Sequence, residues 1–288
     1  MRILDSTRLT TFRTCPYKYK LQYVDEWQPR EKSIHLVAGA AFAAGVEATR
    51  RAWFVEGVRD RDLCLCKGII ALLDEYGTAE PGDSPKTAWR MLGALEYYFN
   101  AYPLEADGCI PLTIKGQIGI EYQIELPLSI QGKYHLFKGR CDAVVSFAGG
   151  NYIIDEKTTS RLGYSWGTQW DMRSQFTAYA YLMQYLLDVK IDGIIVRGVS
   201  ILKNGYDTAQ VITTRSQYEL QQWYRRLCED IEMMERYEQT GYYPPNLEGG
   251  CTEYNGCPFQ RVCKSPDDKK EAWLSLYYEK ATPLLAQN

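Results

Sequence analysis

Three acidic residues and a lysine stand at the ends of two short apolar runs, where strands rarely carry charge. In "FKGRCDAVVSFAGGNYIIDEKTTS", residues 137–160, Asp142 precedes the first run, and Asp155, Glu156 and Lys157 follow the second. Buried charges of this kind are usually paired or bound to a metal. Carboxylates bind Mg²⁺, and a metal held by them can polarise a phosphoryl oxygen and activate a bound water. A lysine beside them can stabilise charge developing on the phosphate.

The two runs predict a β-hairpin that would bring these side chains together. A two-residue turn at Gly149-Gly150 would place Asp142 opposite Lys157. Residues two apart in a strand share a face, so Asp155 and Lys157 point one way and Glu156 the other. A solvent-facing hairpin with a simple Asp–Lys ion pair is the alternative interpretation.

The rest of the chain predicts an α/β protein whose elements can position that hairpin. The helical patterns precede and follow a segment of alternating polar and apolar residues, and no linker divides residues 1–288 into domains. We therefore expect one α/β core with a small mixed, mostly antiparallel central sheet flanked by helices, a helical N-terminal part and a C-terminal cysteine cluster. The predicted helices cover residues 33–54, 60–77, 84–102, 170–188 and 216–241, and the predicted strands cover 114–130 and 193–202.

Gln175 and Tyr179 lie four residues apart in the predicted helix that follows the hairpin. Residues at that spacing share one face of a helix. Both side chains could therefore line a cleft beside the carboxylates.

Three of the nine cysteines have a spacing that suggests a metal site. Cys251, Cys257 and Cys263 form C-x5-C-x5-C in a polar, turn-forming segment, and three thiolates leave a tetrahedral site incomplete. Cys15, in "RTCPYKYKL", is the natural fourth ligand. An iron–sulfur cluster, zinc and no metal remain alternatives. Packing roles are expected for the other cysteines, which are Cys64, Cys66, Cys109, Cys141 and Cys228.

Charge does not identify a partner for the whole chain. The formal net charge is −3 and the pI about 5.6, but a local basic groove can still bind nucleic acid. The N-terminus lacks the apolar core of a signal peptide and no stretch approaches a membrane span, so we expect a cytoplasmic protein. The candidates for phosphate contacts are Lys18, Lys20, Arg161 and Arg173.

The pattern "GRCDAVV…NYIIDEKTT…QFTAYAYLM" resembles the PD-(D/E)XK nuclease superfamily, and within it the RecB-type and CRISPR-adaptation nucleases. The resemblance implies a restriction-endonuclease-like core that binds Mg²⁺ or Mn²⁺. It implies metal binding by Asp142, Asp155 and the Glu156 backbone carbonyl, with Lys157 as the catalytic lysine. Gln175 and Tyr179 would form the Q-x-x-x-Y element that contacts substrate.

One position departs from the family pattern. Many of these nucleases carry a metal-binding histidine on an early helix, as in G-x-x-x-H, but Gly39 is followed at that spacing by Ala43. Glu47, one turn further along, is a candidate oxygen ligand, and a solvated helix residue is the alternative. The two histidines, His35 and His135, do not match the motif and are expected at the surface or in the core.

The cysteines also match a feature of this family. RecB-type nucleases with an iron–sulfur cluster take one cysteine from an N-terminal C-P segment and three from near the C-terminus, often as C-x2-C-x5-C. The resemblance implies a structural 4Fe–4S cluster on Cys15, Cys251, Cys257 and Cys263, with residues 1–30 and 246–265 forming a clamp. The first C-terminal interval is longer here than in that pattern.

The resemblance thus implies a metal-dependent DNA nuclease, an exonuclease acting on DNA ends or single strands in recombination, repair or phage replication. A helicase or recombination protein is a possible partner. The alternative is a catalytically inactive protein that binds DNA ends or a partner while retaining the fold and cluster. A redox sensor has no specific support in the sequence.

Overall fold

The computed structural model describes residues 1–31, 33–247, 249–252 and 256–281. The chain divides into two compact units. The larger unit comprises Ser33–Leu126 and Lys138–Gln221, and the smaller unit comprises Met1–Lys32, Pro127–Phe137 and Gln222–Asn288. Among the described residues, no helix is long and apolar enough to cross a membrane.

Three helices open the larger unit and share one apolar core. Each begins at a polar cap: Ser33, Asp60 and Thr87 accept hydrogen bonds from backbone N–H groups of the first turn. Their buried faces pack together and against Val199 and Ile201 of a central strand. The helices are α3 (Ile34–Phe54), α4 (Arg61–Tyr76) and α5 (Ala88–Ala101).

The sheet of the larger unit is mixed. The hairpin strands are antiparallel, the second of them runs parallel to the next strand, and that strand forms another antiparallel hairpin. Two earlier strands, β3 and β6, also pair with the first hairpin strand. The strands are β3 (Ile110–Pro111), β6 (Ile120–Ile130), β7 (Lys133–Phe147), β8 (Gly150–Thr159), β9 (Gly193–Leu202) and β10 (Gly205–Thr213).

The predicted α/β class, a mixed sheet flanked by helices, is confirmed. The prediction of one strand over 114–130 is wrong in part, because a turn with positive φ at Lys115 and Gly116 separates β4 (Thr113–Ile114) from β5 (Gln117–Ile118) before β6 begins. The segment after β8, for which the sequence predicts no regular element, contains α6 (Tyr164–Thr168), which precedes α7 (Ser174–Leu186).

The smaller unit joins the two ends of the described chain. Its first strand, β1 (Arg2–Leu4), runs parallel to the beginning of β7, and Leu21, Phe259, Val262 and Tyr278 share a small core. Its remaining elements are α1 (Ser6–Thr14), α2 (Pro16–Tyr19), the π-helical turn Lys20–Val24, β2 (Trp27–Pro29), α8 (Gln217–Thr240), α9 (Gly249–Thr252), α10 (Gln260–Lys264), α11 (Asp267–Tyr277) and β11 (Tyr278–Lys280); the first residues of α8 belong to the larger unit.

Candidate active site

The hairpin turn lies one residue earlier than the sequence predicts. Ala148 and Gly149 both have positive φ, 48° and 82°, as a type I′ turn requires, and Phe147 pairs with Gly150. The prediction of a turn at Gly149-Gly150 is therefore wrong. Continuing the observed register places Asp142 opposite Asp155 instead of Lys157. The partner changes by two residues, so the face on which these side chains lie is unchanged.

Asp155 and Lys157 form an ion pair in the second half of β8. Lys157 Nζ lies 2.5 Å from Asp155 Oδ2, and the Asp155 side chain is 5% exposed while that of Lys157 is 32% exposed. The contact lacks hydrogen-bond geometry, so Asp155 Oδ2 is a buried oxygen to which none of the described residues donates a hydrogen bond. Burial raises the pKa of Asp155, and the lysine charge offsets only part of that rise. This oxygen remains available to a cation.

Asp142 is held beside this pair by the backbone of the opposite strand. Its Oδ2 accepts a hydrogen bond from the Glu156 amide at 2.7 Å. Burial and the charge of Asp155 raise the pKa of Asp142 well above its usual range. Two buried carboxylates with this repulsion favour a cation between them.

The Glu156 side chain points to the opposite face of the sheet, as the strand alternation predicts. Glu156 Oε1 lies 2.5 Å from Arg50 Nη2 and accepts a hydrogen bond from the Tyr98 hydroxyl at 2.8 Å. Burial tends to raise the pKa of Glu156, but the guanidinium of Arg50 reverses this and lowers it. Only the backbone of Glu156 can therefore contribute to a site on the Asp142 face.

The buried charges on that opposite face continue along the sheet. Arg197, 1% exposed, is paired with Glu156 in the register of β8 and β9. It donates two hydrogen bonds to the Asp107 carboxylate, at 2.8 and 2.6 Å. A buried arginine needs such partners, because its charge cannot be neutralised by deprotonation.

Glu121 is an additional buried carboxylate that the sequence pattern did not identify. Val144 donates its amide hydrogen to Gly119 O at 2.8 Å, and counting two residues along each antiparallel strand brings Glu121 opposite Asp142. A Cβ on Gly119 would lie only 2.2 Å from Val144 O, so glycine permits this close approach. Glu121 itself has φ +49° and its Oε2 lies 2.6 Å from Arg140 Nε. Strained backbone of this kind is common at functional sites.

Glu121 is coupled to the other carboxylates through their charges. Burial, reinforced by the charges of Glu47 and Glu156 and opposed by Arg140, raises the pKa of Glu121 to about 7. Glu121 in turn contributes to the raised pKa of Asp142. A strict polar–apolar alternation over "IEYQIE" assigns Glu121 to the solvent face, and only the local backbone distortion places it inside.

Glu47 lies in this neighbourhood but already has a partner. Its Oε1 accepts a hydrogen bond from Arg51 Nε at 2.7 Å, one helical turn away, and its side chain is 31% exposed. Ala43, at the position of the family histidine, offers no ligand atom. Of the two histidines, His35 is exposed, and His135 is buried in the smaller unit, where neither ring nitrogen has a hydrogen-bond partner among the described residues.

Gln175 and Tyr179 meet on one face of α7, as predicted from their spacing. Gln175 Nε2 donates to the Tyr179 hydroxyl at 3.2 Å, and that hydroxyl donates to Arg140 O at 3.0 Å. Burial raises the pKa of Tyr179. The tyrosine thus connects the helix to the backbone two residues before Asp142.

The four basic candidates differ in their surroundings. Arg173 is exposed and its charge lowers the pKa of Asp155, against the larger effect of burial, and Arg161 is exposed on the segment that precedes it. In the smaller unit, Lys20 Nζ lies 2.6 Å from Asp25 Oδ2, which neutralises it. Lys18 is half-buried, and its charge acts on Cys257.

The four predicted cysteine ligands all lie in the smaller unit, although no three of them are arranged around a common metal position in the described ranges. Cys15 Sγ accepts backbone N–H groups from Lys18 and Asn246, each at 3.4 Å. Burial raises the pKa of Cys263 to about 11, and the charges of Cys257, Cys15 and Cys251 contribute to that rise. Residues 248 and 253–255, inside the predicted clamp, lie outside the described residues. Of the cysteines expected to pack, Cys66 is exposed, contrary to that expectation.

The donor atoms near Asp142 suit a hard divalent cation. Within the described ranges, no group of three or more His, Cys, Asp or Glu side chains is arranged around a common metal position. The chemistry of the donors nevertheless fits: all are oxygens, and Asp155 Oδ2 and Glu121 Oε2 are buried without a hydrogen-bond donor. Asp142, Asp155 and the Glu156 carbonyl are thus the groups that could hold Mg²⁺ or Mn²⁺.

A comparison with solved structures identifies a similar fold. A proposed exonuclease from Eubacterium rectale aligns with 86% of this chain and 85% of its own, at 14% sequence identity and a TM-score of 0.51. The structure of SSO0001 aligns with 67% of this chain and 74% of its own, at 15% identity and a TM-score of 0.31, which is too low to inform the fold. Among curated proteins, none is similar enough to count as a relative.

The structural similarity shows the fold alone, whereas a family model identifies the family. The model of the PD-(D/E)XK nuclease superfamily matches residues 6–264, which include the hairpin, α7 and all four predicted cysteine ligands. The chain therefore belongs to the PD-(D/E)XK nuclease superfamily, the members of which hydrolyse nucleic acid.

Proposed function

We propose that the protein is a divalent-metal-dependent deoxyribonuclease with its active site at the end of the β7–β8 hairpin. The observation that carries this proposal is the meeting of Asp142, Asp155 and Lys157 on one face of the sheet, with a buried Asp155 oxygen that has no hydrogen-bond donor in the part of the chain that the structure describes. A structural ion pair alone would not require a second buried carboxylate beside the first.

Asp142, Asp155 and the Glu156 backbone carbonyl would hold the Mg²⁺ or Mn²⁺ ion. When bound, the metal supplies Lewis-acid polarisation of the phosphate and lowers the pKa of a water molecule. Lys157, partly exposed, donates hydrogen bonds to the phosphate oxygens, on which negative charge develops as the water oxygen bonds to phosphorus. The attacking water gives up a proton to the solvent, the phosphorus–oxygen bond to the leaving nucleotide breaks, and the leaving oxygen takes a proton from the solvent.

Two further groups would orient the substrate. The Gln175 side chain donates a hydrogen bond to the Tyr179 hydroxyl, which in turn donates to Arg140 O. These bonds hold the Gln175 amide in one orientation, so that it is a preorganised polar group beside the carboxylates. Arg173, the exposed cap residue of the helix that carries Gln175, can bind a neighbouring phosphate. Glu121 would add negative charge that favours a cation next to Asp142.

Exonuclease action on DNA ends or single strands is the mode we propose. It follows from the resemblance to RecB-type nucleases, and the Eubacterium rectale protein of similar fold carries the name of a proposed exonuclease. A role in recombination, repair or phage replication, with a helicase or recombination partner, belongs to the same proposal.

Metal removal tests the nuclease proposal. We expect the purified protein to degrade end-labelled DNA with Mg²⁺ or Mn²⁺, to lose the activity in EDTA and to regain it on addition of Mn²⁺, because phosphodiester hydrolysis here depends on the cation. Asp142→Asn should lower the rate at least ~10²-fold and weaken Mn²⁺ binding measured calorimetrically. Asp207→Asn, an exposed aspartate on β10, should change neither.

The second candidate function is a catalytically inactive protein that binds DNA ends or a partner. Ala43 favours it, because this residue removes a ligand that many relatives possess. Protein that binds DNA but cuts neither single nor double strands with either metal would support this candidate and contradict the nuclease proposal.

We also propose a structural 4Fe–4S cluster on Cys15, Cys251, Cys257 and Cys263, with zinc as the alternative. Two backbone N–H groups point at Cys15 Sγ, and hydrogen bonds of this type stabilise the sulfur ligands of clusters. Such a cluster would join the N-terminal segment 1–30 to segment 246–265 within the smaller unit.

If the cluster is present, the purified protein should be coloured and should contain iron. Anaerobically purified protein should absorb near ~400 nm and contain about four irons per chain, and Cys263→Ser should reduce both by more than about half. Cys66→Ser, at an exposed cysteine of the larger unit, is the matched control and should leave both unchanged. Colourless protein with one bound zinc would replace the cluster by the zinc alternative.

A further inference from the structure

The segment between β8 and α7, residues 160–173, forms an arm on the same face of the sheet as Lys157. Gly198 on β9 is in register with Lys157, so the two positions are neighbours. A Cβ on Gly198 would lie 2.3 Å from the Trp166 ring, which shows that the indole rests directly on this glycine. The arm is therefore seated one strand away from the proposed catalytic lysine.

The inner side of the arm is firmly packed. Trp166 and Trp170 are buried, with ring centroids 5.5 Å apart, and Trp170 also contacts Phe176 of α7. Arg215 donates hydrogen bonds to Trp170 O and to Thr177 Oγ1, both at 2.9 Å. These contacts make the arm a rigid support.

The outer side of the arm is apolar and basic. Tyr164 is 89% exposed, more than any other aromatic residue in the part of the chain that the structure describes, and Met172 is 85% exposed. Arg161 and Arg173 are exposed at the two ends of the same segment. Arg173 is also the cap residue of α7, two residues before Gln175, so this surface borders the proposed active site.

This combination fits unpaired nucleotides. An exposed aromatic ring on a rigid support can stack on a base, and arginines beside it can bind the flanking phosphates. The bases of a duplex are already stacked on one another, so their faces are not available to Tyr164. The segment carries two arginines against one exposed acidic residue, Asp171, so its net positive charge is complementary to a phosphate backbone.

We propose that the arm binds single-stranded DNA, with a base stacked on Tyr164 and phosphates bound by Arg161 and Arg173, and thereby leads the strand to Asp155 and Lys157. The assignment rests on the proposed nuclease function and names its substrate as an unpaired strand.

Binding without cleavage tests the arm. In EDTA, the affinity of the full chain for a fluorescent oligo-dT and for a duplex of equal length is measured at several salt concentrations. Tyr164→Ala should weaken binding of the oligo-dT at least ~5-fold, because stacking contributes about 1–3 kcal/mol per base, and should leave duplex binding within about twofold. Tyr164→Phe should retain the wild-type affinity, since the ring is preserved.

Matched controls separate stacking from charge. Tyr218→Ala, at an exposed tyrosine of α8, should have no effect on either affinity. The double variant Arg161→Ser/Arg173→Ser should reduce the salt dependence of oligo-dT binding by about 0.7 per lost contact, whereas Tyr164→Ala should leave the slope unchanged.

Two results overturn the assignment of the arm alone. The first is a Tyr164→Ala variant that binds oligo-dT like the Tyr218→Ala control, and the second is a variant that loses single-strand and duplex binding equally. Wild-type protein that cuts DNA keeps the nuclease proposal in both cases. Wild-type protein that neither binds nor cuts either DNA overturns the nuclease function together with the arm.

Discussion

Lys157→Ala is expected to lower the rate of DNA hydrolysis about 10³-fold at saturating Mg²⁺ or Mn²⁺. The ammonium group lies 2.5 Å from Asp155 Oδ2 and is about one-third exposed, so it can reach both the carboxylate and a phosphate placed beside it. Its loss removes the positive charge that would stabilise the phosphate as charge develops. The measurement is the single-turnover cleavage rate of end-labelled DNA.

Cation binding distinguishes this effect from a damaged site. Lys157→Ala should bind Mn²⁺ at least as tightly as the wild type, because the substitution removes a positive charge beside Asp155 Oδ2. Lys138→Ala is the matched control, since Lys138 lies on the same hairpin, is exposed and pairs with Glu125. A Lys157→Ala variant that cuts at the wild-type rate would remove this residue from the chemistry.

Arg50→Met is expected to reduce the free energy of unfolding by about 3–5 kcal/mol. Arg50 is buried, and it holds Glu156 Oε1 at 2.5 Å and the Tyr98 hydroxyl at 2.9 Å. Without the guanidinium, the Glu156 carboxylate, the side chain of which is 4% exposed, retains its charge in the interior. The Tyr98 hydroxyl and the charge of Arg197, which is itself paired with Asp107, then stabilise it less well. Urea denaturation followed by tryptophan fluorescence measures the loss.

Two variants show whether the loss comes from the buried charge. Arg51→Met, at the neighbouring residue of the same helix, removes a 40% exposed side chain that pairs with Glu47 and should cost less than about 1 kcal/mol. Arg50→Met/Glu156→Gln, which removes both charges, should recover at least half of the stability lost in Arg50→Met. Equal losses in the single and double variants would mean that packing, not charge, explains the effect.

Most of the fold near the site follows from local sequence patterns. The helices α3, α4 and α5 begin and end within a few residues of their predicted bounds, because each has a periodic apolar face and a polar cap. The strand β10 was not predicted, because "GYDTAQVIT" is half-exposed and has no clear alternation of polar and apolar residues. Its strand conformation follows from its pairing with β9. Pairing depends on a partner strand that no local pattern shows.

The candidate site was partly predictable for the same reason. The face of the Asp155 side chain follows from the alternation of β8 alone, so an error of one residue in the turn left it unchanged. Glu121 depends on a distorted backbone at φ +49°, and the partner of Glu156 is Arg50, which is separated from it by 106 residues. Neither the backbone conformation of Glu121 nor the pairing of Glu156 with Arg50 produces a periodic pattern in the sequence, so neither could be predicted from it.

The seat of Trp166 on Gly198 links two positions that are far apart in the chain. Any side chain at 198 would occupy space that the indole fills, since even a Cβ would approach the ring to 2.3 Å. In homologous proteins, the two positions should therefore vary together, with a smaller residue at 166 wherever 198 is not glycine. Paired substitutions at 166 and 198 would change the position of the arm, and with it the binding of a nucleic-acid strand, without altering Asp142, Asp155 or Lys157.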